Sequence, residues 1–182
     1  MTPLGLSHTV AALAALGSGA LVLLATKGTR LHRQLGWTYV VSMLSLNVTA
    51  LFVYRLFGGV GPFHVAAVAS LVTVSFGTVA AVRARRRRLA RDPEGRRRAI
   101  EHHYAWMTWS YVGLLAAAMS EVATRVPAFR PRPGQGVAFG ITVAVATVLV
   151  VAAGARLICS RRAGLLAPYR PRPHLPPLER AV

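Results

Sequence analysis

The sequence predicts an all-α fold: a polytopic transmembrane helix bundle of five helices, a four-helix core plus a fifth, with the N-terminus outside and the C-terminus cytoplasmic. The first observation behind this is length. Apolar stretches cover residues 8–26, 37–57, 63–82, 104–123 and 137–155, each 19 to 21 residues long. About 20 residues of helix cross the roughly 30 Å of hydrocarbon in a bilayer. The second observation is segregation of charge. The chain carries 22 basic and 5 acidic side chains, a net charge of +17, yet only Arg55 and Glu121 fall inside those stretches. A soluble domain interleaves charged and apolar residues, so a soluble enzyme, a stand-alone nucleic-acid binder and a disordered basic tail are excluded. The third is asymmetry of the connections. Lys27, Arg30 and Arg33, nine arginines between positions 83 and 98, and six between 156 and 180 lie on one side. Only Arg55, Arg125, Arg130 and Arg132 lie on the other. Positive residues stay cytoplasmic, which sets the expected orientation. Helix is favoured over a β-barrel because lipid offers backbone groups no partners and runs such as 143–151 do not alternate.

In chain order, the first helix carries Ala11, Ala15 and Gly19 as a stripe of small residues on which a neighbour packs closely. The leader 1–7 has no positive charge, so this helix is expected to be retained. Trp37 anchors the second helix at the interface, and Ser42, Ser45 and Thr49 form one polar face expected to point into the bundle. A five-residue outer turn, 58–62, makes the second and third helices neighbours. The third opens with His64 and carries Ser75 and Thr78. An Arg-rich cytoplasmic loop is expected over 83–101. The fourth helix has Trp106 and Trp109 at its inner end, and the outer loop 124–136, with three prolines, is expected to be extended. In the fifth, Gly136, Gly140 and Ala144 make a second small-residue packing stripe. The transmembrane domain is 1–158, and the Pro- and Arg-rich tail 159–182 is expected to be disordered.

The histidines carry most of the chemical information. His8 and His64 fall at the outer ends of their helices; His32, His102 and His103 fall at the inner side. Each level offers more than one imidazole, from different helices, which suits a metal ion or the axial ligands of haem. In the fourth helix, His103, Met107, Ser110, Leu114, Ala117 and Glu121 follow steps of 4, 3, 4, 3 and 4 and share a face. That face is about 27 Å long, which puts Glu121 level with His8 and His64, and His103 level with His32. A carboxylate this close to hydrocarbon marks a functional site. The candidate cofactor ligands are therefore His8, His64, His32 and His103, with His8, His64 and Glu121 as an outer metal set. The bland alternative is that imidazoles at an interface are solvated by water and head groups, while Glu121 pairs with Arg125 at i+4. Arg85, Arg86, Arg87, Arg88, Arg96, Arg97 and Arg98 are placed at the membrane surface, where each contributes about 1 kcal/mol near anionic lipid head groups. Fixing topology alone accounts for them equally well. Nucleic acid is not an expected partner, because no aromatic residue between 83 and 101 can stack a base.

Other chemistry is set aside. The lone Cys159 allows no internal disulfide and no Cys-based metal site. No glycine-rich loop joins a strand to a helix, and Asp92, the one aspartate, lies among the arginines, so nucleotide binding and Ser–His–Asp catalysis lack their residues.

Taken together, His8 opening the first helix, Lys27-Gly28 and His32-Arg33 with Gly36, His64 opening the third helix, His103 with Met107, and Glu121 with Arg125 resemble a bacterial membrane family, the domain of unknown function 2306 family. The resemblance covers about residues 5–125. It implies a multi-helix membrane domain and singles out those histidines, but supplies no reaction. The Arg-rich segment and the Pro-rich tail lie outside its pattern. The leading functional expectation is a small redox or metal-handling protein of a bacterial cytoplasmic membrane. It holds haem b or a transition metal through His8 and His64, and through His32 and His103 at the inner end. Glu121 then serves as a further ligand or orients an imidazole. The alternatives are a small-solute or proton-coupled transporter, using Glu121 and the hydroxyl face of the second helix, and a non-catalytic assembly or scaffold protein. Whether the chain is an enzyme stays open. The expected partners are the lipid bilayer, anionic head groups at the cytoplasmic face and a second copy of the chain.

Overall fold

The computed structural model describes residues 2–52, 62–125 and 136–169, the side chains at 62, 63, 123–125, 136–139, 142, 165 and 169 excepted. It contains five helices, α1 (Pro3–Leu24), α2 (Arg30–Leu51), α3 (Pro62–Leu89), α4 (Pro93–Arg125) and α5 (Gly136–Leu166), then a 3-10 turn at Ala167–Tyr169. Among the described residues there is no strand. Three segments, Pro3–Leu24, His64–Leu89 and Val143–Gly164, are long and apolar enough to cross a membrane. The other two helices are more polar: α2 carries Ser42, Ser45, Asn47 and Thr49, and α4 carries Ser110, Ser120 and Glu121.

The helix ends are set by local chemistry. Thr2 caps α1 by accepting from the Gly5 N–H at 3.2 Å, and Thr29 caps α2 by accepting from the His32 N–H at 3.2 Å. The last carbonyls of a helix lack partners within it. Lys27 supplies them for α1: its Nζ donates to the carbonyls of Val22, Leu23 and Ala25 at 2.9, 2.8 and 3.1 Å. Gly28, at φ 81°, then reverses the chain, in a conformation that costs a glycine nothing.

Each helix packs on the next, and α1 also touches α4, closing a four-helix bundle with α5 laid against α4. The core joins Ala11 and Ala15 to Tyr39, Val40, Met43 and Leu46, and to Val74 and Leu114. The α1 stripe is buried as expected, through Ala11, Ala15 and Gly19. A Cβ on Gly19 would lie 2.5 Å from the Tyr111 ring and 2.9 Å from that of Tyr39, so only glycine fits there. Outside, α5 exposes Ile141, Val145, Val148 and Leu149. An apolar exterior of this kind suits a lipid environment.

Several expectations need correction. Residues 83–101 are not a loop: α3 continues to Leu89 and α4 starts at Pro93, leaving a three-residue turn. The 28 residues of α3 and 33 of α4 run about 42 and 50 Å, well past the hydrocarbon. Arginine is a good helix former, so a run of arginines ends the membrane span without ending the helix. The turn is closed by Asp92, which accepts from the Gly95 N–H at 2.8 Å and from Arg87 at 2.8 Å. Arg97–Glu101 and Arg98–Glu94 pairs at i+4 line the start of α4. Likewise α5 runs to Leu166, past the expected start of the tail at 159, because the first proline comes only at Pro168. Gly140 and Ala144 are exposed, so the α5 stripe does not pack within the chain. The close contact lies further along, where a Cβ on Gly154 would sit 2.5 Å from a Val112 methyl. On α2, Ser42 is buried but Ser45 is exposed. Residues 53–57 of the second stretch, nearly all of the outer turn and outer loop, and the tail from 170 lie outside the described residues.

The glycine at position 19 gives a direct test of this packing. Gly19→Ala drives a methyl into the Tyr111 ring and should cost about 1–3 kcal/mol, whereas Gly17→Ala meets nothing within 4 Å and should be neutral. Thermal unfolding of the two variants in one detergent makes the comparison.

Candidate functional site

The inward face of α4 is the one its spacing defines. Ser110 and Leu114 are buried, and His103, Met107, Ala117 and Glu121 are half-buried. At the outer end this face meets α1 and α2. His8 Nδ1 lies 3.0 Å from Thr49 Oγ1, and His8 Nε2 lies 3.9 Å from Glu121 Oε2. The Thr49 hydroxyl is also within reach of the carbonyls of Ser45 at 2.8 Å and Leu46 at 2.9 Å. It holds His8 at Nδ1, with the tautomer deciding which group donates, and the other ring nitrogen, Nε2, faces the Glu121 carboxylate. Neither group is fully dry, with side-chain exposures of 14% for His8 and 35% for Glu121.

At the inner end, His103 sits across from α3. Its Nδ1–H donates to the Gly77 carbonyl at 2.9 Å. Gly77 is also a point of close contact between α3 and α4: a Cβ there would lie 2.5 Å from Met107 Sδ and 3.3 Å from Trp106. The neighbouring Phe76 and Trp106 rings stack with centroids 5.3 Å apart. His32 stands in the first turn of α2, ahead of the apolar stretch. Its Nδ1 is buried and makes no hydrogen bond. Burial, together with the charges of Lys27 and His103, holds its pKa below the ordinary histidine value.

The two ends of the bundle thus share a pattern. Each has an imidazole held at Nδ1 by a group on another helix, and at the outer end Nε2 faces Glu121. His64, on α3, is buried. In a bundle ordered α1, α2, α3, α4, the pairs His8/His64 and His32/His103 come from helices on opposite sides of the axis. Between the two levels the interior is filled. Tyr39 Oη bonds Ser110 Oγ at 2.9 Å, the Tyr39 and Tyr111 rings meet edge-on at 6.2 Å, and Met43 and Val74 are fully buried.

The outer set His8, His64 and Glu121 does not assemble as a three-ligand metal site: among the described residues no three His, Cys, Asp or Glu side chains gather around a point. His8 and Glu121 come from the touching helices α1 and α4, while α3 carries His64 across the bundle. The expected Arg125 partner of Glu121 has its side chain outside the described residues. His102 and Cys159 are exposed. Three contributors were not singled out as such by the sequence. Thr49 was only one hydroxyl on a polar face, although its place at the outer end of α2 could have matched it to His8. Gly77 is a lone glycine in an apolar span. Asn47, the one amide in that span, is buried and donates to Ser70 Oγ at 3.0 Å, tying α2 to α3.

Against known proteins, a family model described as "Predicted membrane protein (DUF2306)" matches residues 5–158. No curated protein and no solved structure matches.

The lowered pKa of His32 has a pH consequence. The folded protein resists protonating this ring, whereas the unfolded chain protonates it near pH 6.5. Its contribution to stability is therefore intact above about pH 6.5 and is lost as the pH falls. The melting temperature in detergent should drop between about pH 7 and pH 5, and His32→Gln should flatten that slope.

Proposed function

The chain belongs to the DUF2306 family of predicted membrane proteins, and from that premise we propose that it is a redox protein of the bacterial cytoplasmic membrane whose paired histidines ligate haem b. One observation supports this above the others: His103 directs Nδ1–H to the Gly77 carbonyl on a neighbouring helix, and at the opposite end of the bundle His8 Nδ1 is held by Thr49. Imidazoles that ligate metals almost always give their other N–H to such an acceptor, which fixes the ring and makes Nε2 the ligand. The ligand count favours haem over a closed zinc site. Zinc takes three or four protein ligands, whereas a six-coordinate haem takes two, the number that His8 with His64, and His32 with His103, would supply. At His32 the ring meets the Val22 backbone and Nδ1 is the buried nitrogen left unbonded, so Nδ1 would be its ligand. When bound, the haem supplies electron transfer; the chain holds it, sets its potential and shields it from water.

Glu121 then acts on His8 from 3.9 Å. A carboxylate at that distance stabilises positive charge at the outer site and takes up a proton as charge changes there. A solute path is less favoured, because Ser45 faces outward and Tyr39, Met43 and Val74 occupy the middle of the bundle. In this reading all five helices cross the bilayer, with the N-terminus outside. Arg85, Arg86, Arg87, Arg88, Arg96, Arg97 and Arg98 then lie at the anionic head groups of the cytoplasmic leaflet.

The test is an absorbance spectrum of the detergent-purified protein, oxidised and dithionite-reduced, expressed with haem and metals in supply. A Soret band with sharp reduced α and β bands is expected. His32→Ala or His103→Ala should remove one haem, and His8→Ala or His64→Ala the other. A featureless spectrum from folded protein overturns the reading, and stoichiometric zinc or copper without those bands replaces haem by a metal ion.

A further inference from the structure

Leu71, Val72, Ser75, Phe76, Val79 and Arg83 line a shallow, open groove of about 450 Å³ on the outward face of α3. These residues recur at helical spacing over about 18 Å of helix axis, inside the candidate membrane span His64–Leu89. One end and the body are apolar; the other end is a guanidinium. Phe76 closes the groove on the α4 side by stacking on Trp106. Beyond it, Arg86 follows Arg83 at i+3, on nearly the same face. The acids nearby are already taken, Asp92 by Arg87, Glu94 by Arg98 and Glu101 by Arg97. Among the described residues, Arg83 and Arg86 pair with no acid.

We propose that this groove is a binding site for one anionic phospholipid, with an acyl chain along Leu71, Val72, Phe76 and Val79 and its phosphate on Arg83 and Arg86. Two features select this occupant. An apolar channel ending in uncompensated positive charge matches a molecule that is apolar along its length and anionic at one end. The site also lies on a helix apolar enough to be bathed in such molecules. A soluble anion gains nothing from the channel, and a second copy of this face would bring Arg83 against like charge in a parallel pairing. The inference rests on α3 lying in the bilayer and not on haem, so loss of the haem reading leaves it standing.

The test is native mass spectrometry of the full chain released from non-ionic detergent, titrated with phosphatidylglycerol or with phosphatidylcholine of the same acyl chains. Phosphatidylglycerol should bind first and tighter. Arg83→Gln should weaken that first binding about fivefold, as expected for one arginine at an anionic head group, while Arg83→Lys retains most of it. Arg161→Gln removes the same charge from the exposed face of α5 and should leave that first binding unchanged. Val79→Trp fills the depression and should expel the lipid. Equal binding of the two lipids, or equal losses in Arg83→Gln and Arg161→Gln, overturns the site in favour of diffuse charge. A dimer that persists at every lipid concentration and is abolished by Val79→Trp overturns it in favour of a second copy.

Discussion

In a bilayer, an apolar side chain gains little by moving from lipid into a bundle, so burial alone does not draw helices together. What does is close approach of backbones, and this bundle depends on one such approach, at Gly77. The missing side chain lets Met107 and Trp106 lie directly on α3, and the exposed carbonyl then comes within reach of His103. Packing and polarity are satisfied by the same residue. Gly19 repeats the solution on α1, where two tyrosine rings cross the backbone and Tyr111 donates its hydroxyl to the Leu16 carbonyl at 3.1 Å.

Hydrogen bonds between helices in a membrane are individually modest, about 0.6–2 kcal/mol. Their larger effect here is on chemical state. Because a carbonyl can only accept, the Gly77 oxygen makes His103 donate from Nδ1. The tautomer of that ring is thus settled by a group that carries no charge and takes part in no reaction. A hydroxyl, as His8 meets at Thr49, or a water leaves the proton free to move between the two nitrogens.

Much of this arrangement was legible in the sequence where it depends on period. The 3.6-residue repeat on α4 correctly put His103 and Glu121 on one inward face, and the rise of the helix put Glu121 level with His8. The small stripe of α1 was legible for the same reason. What was not legible is what one helix does to another. Nothing in the spacing of α2 says that Thr49 and not Ser45 turns inward, and nothing around Gly77 says that His103 will find its carbonyl. On α5 a stripe of small residues was a poor guide, since among the described residues that helix packs chiefly on α4 and meets it at Gly154 and not at Gly140. The arginines misled differently. Charge marks where hydrocarbon ends, and a helix need not end with it.

That continuity makes α4 a lever. The helix runs unbroken from Pro93 to Arg125, and Met107, its contact with Gly77, stands fourteen residues from both Pro93 and Glu121. The arms on either side of this fulcrum are therefore equal, each about 21 Å long. A tilt of about 10° about that point displaces either end by about 4 Å, in opposite directions. Glu121 and His8 are separated by 3.9 Å, so a tilt of that size is on the scale of the gap between them. Whatever leans on the basic turn at one end of the bundle is in mechanical reach of the carboxylate at the other.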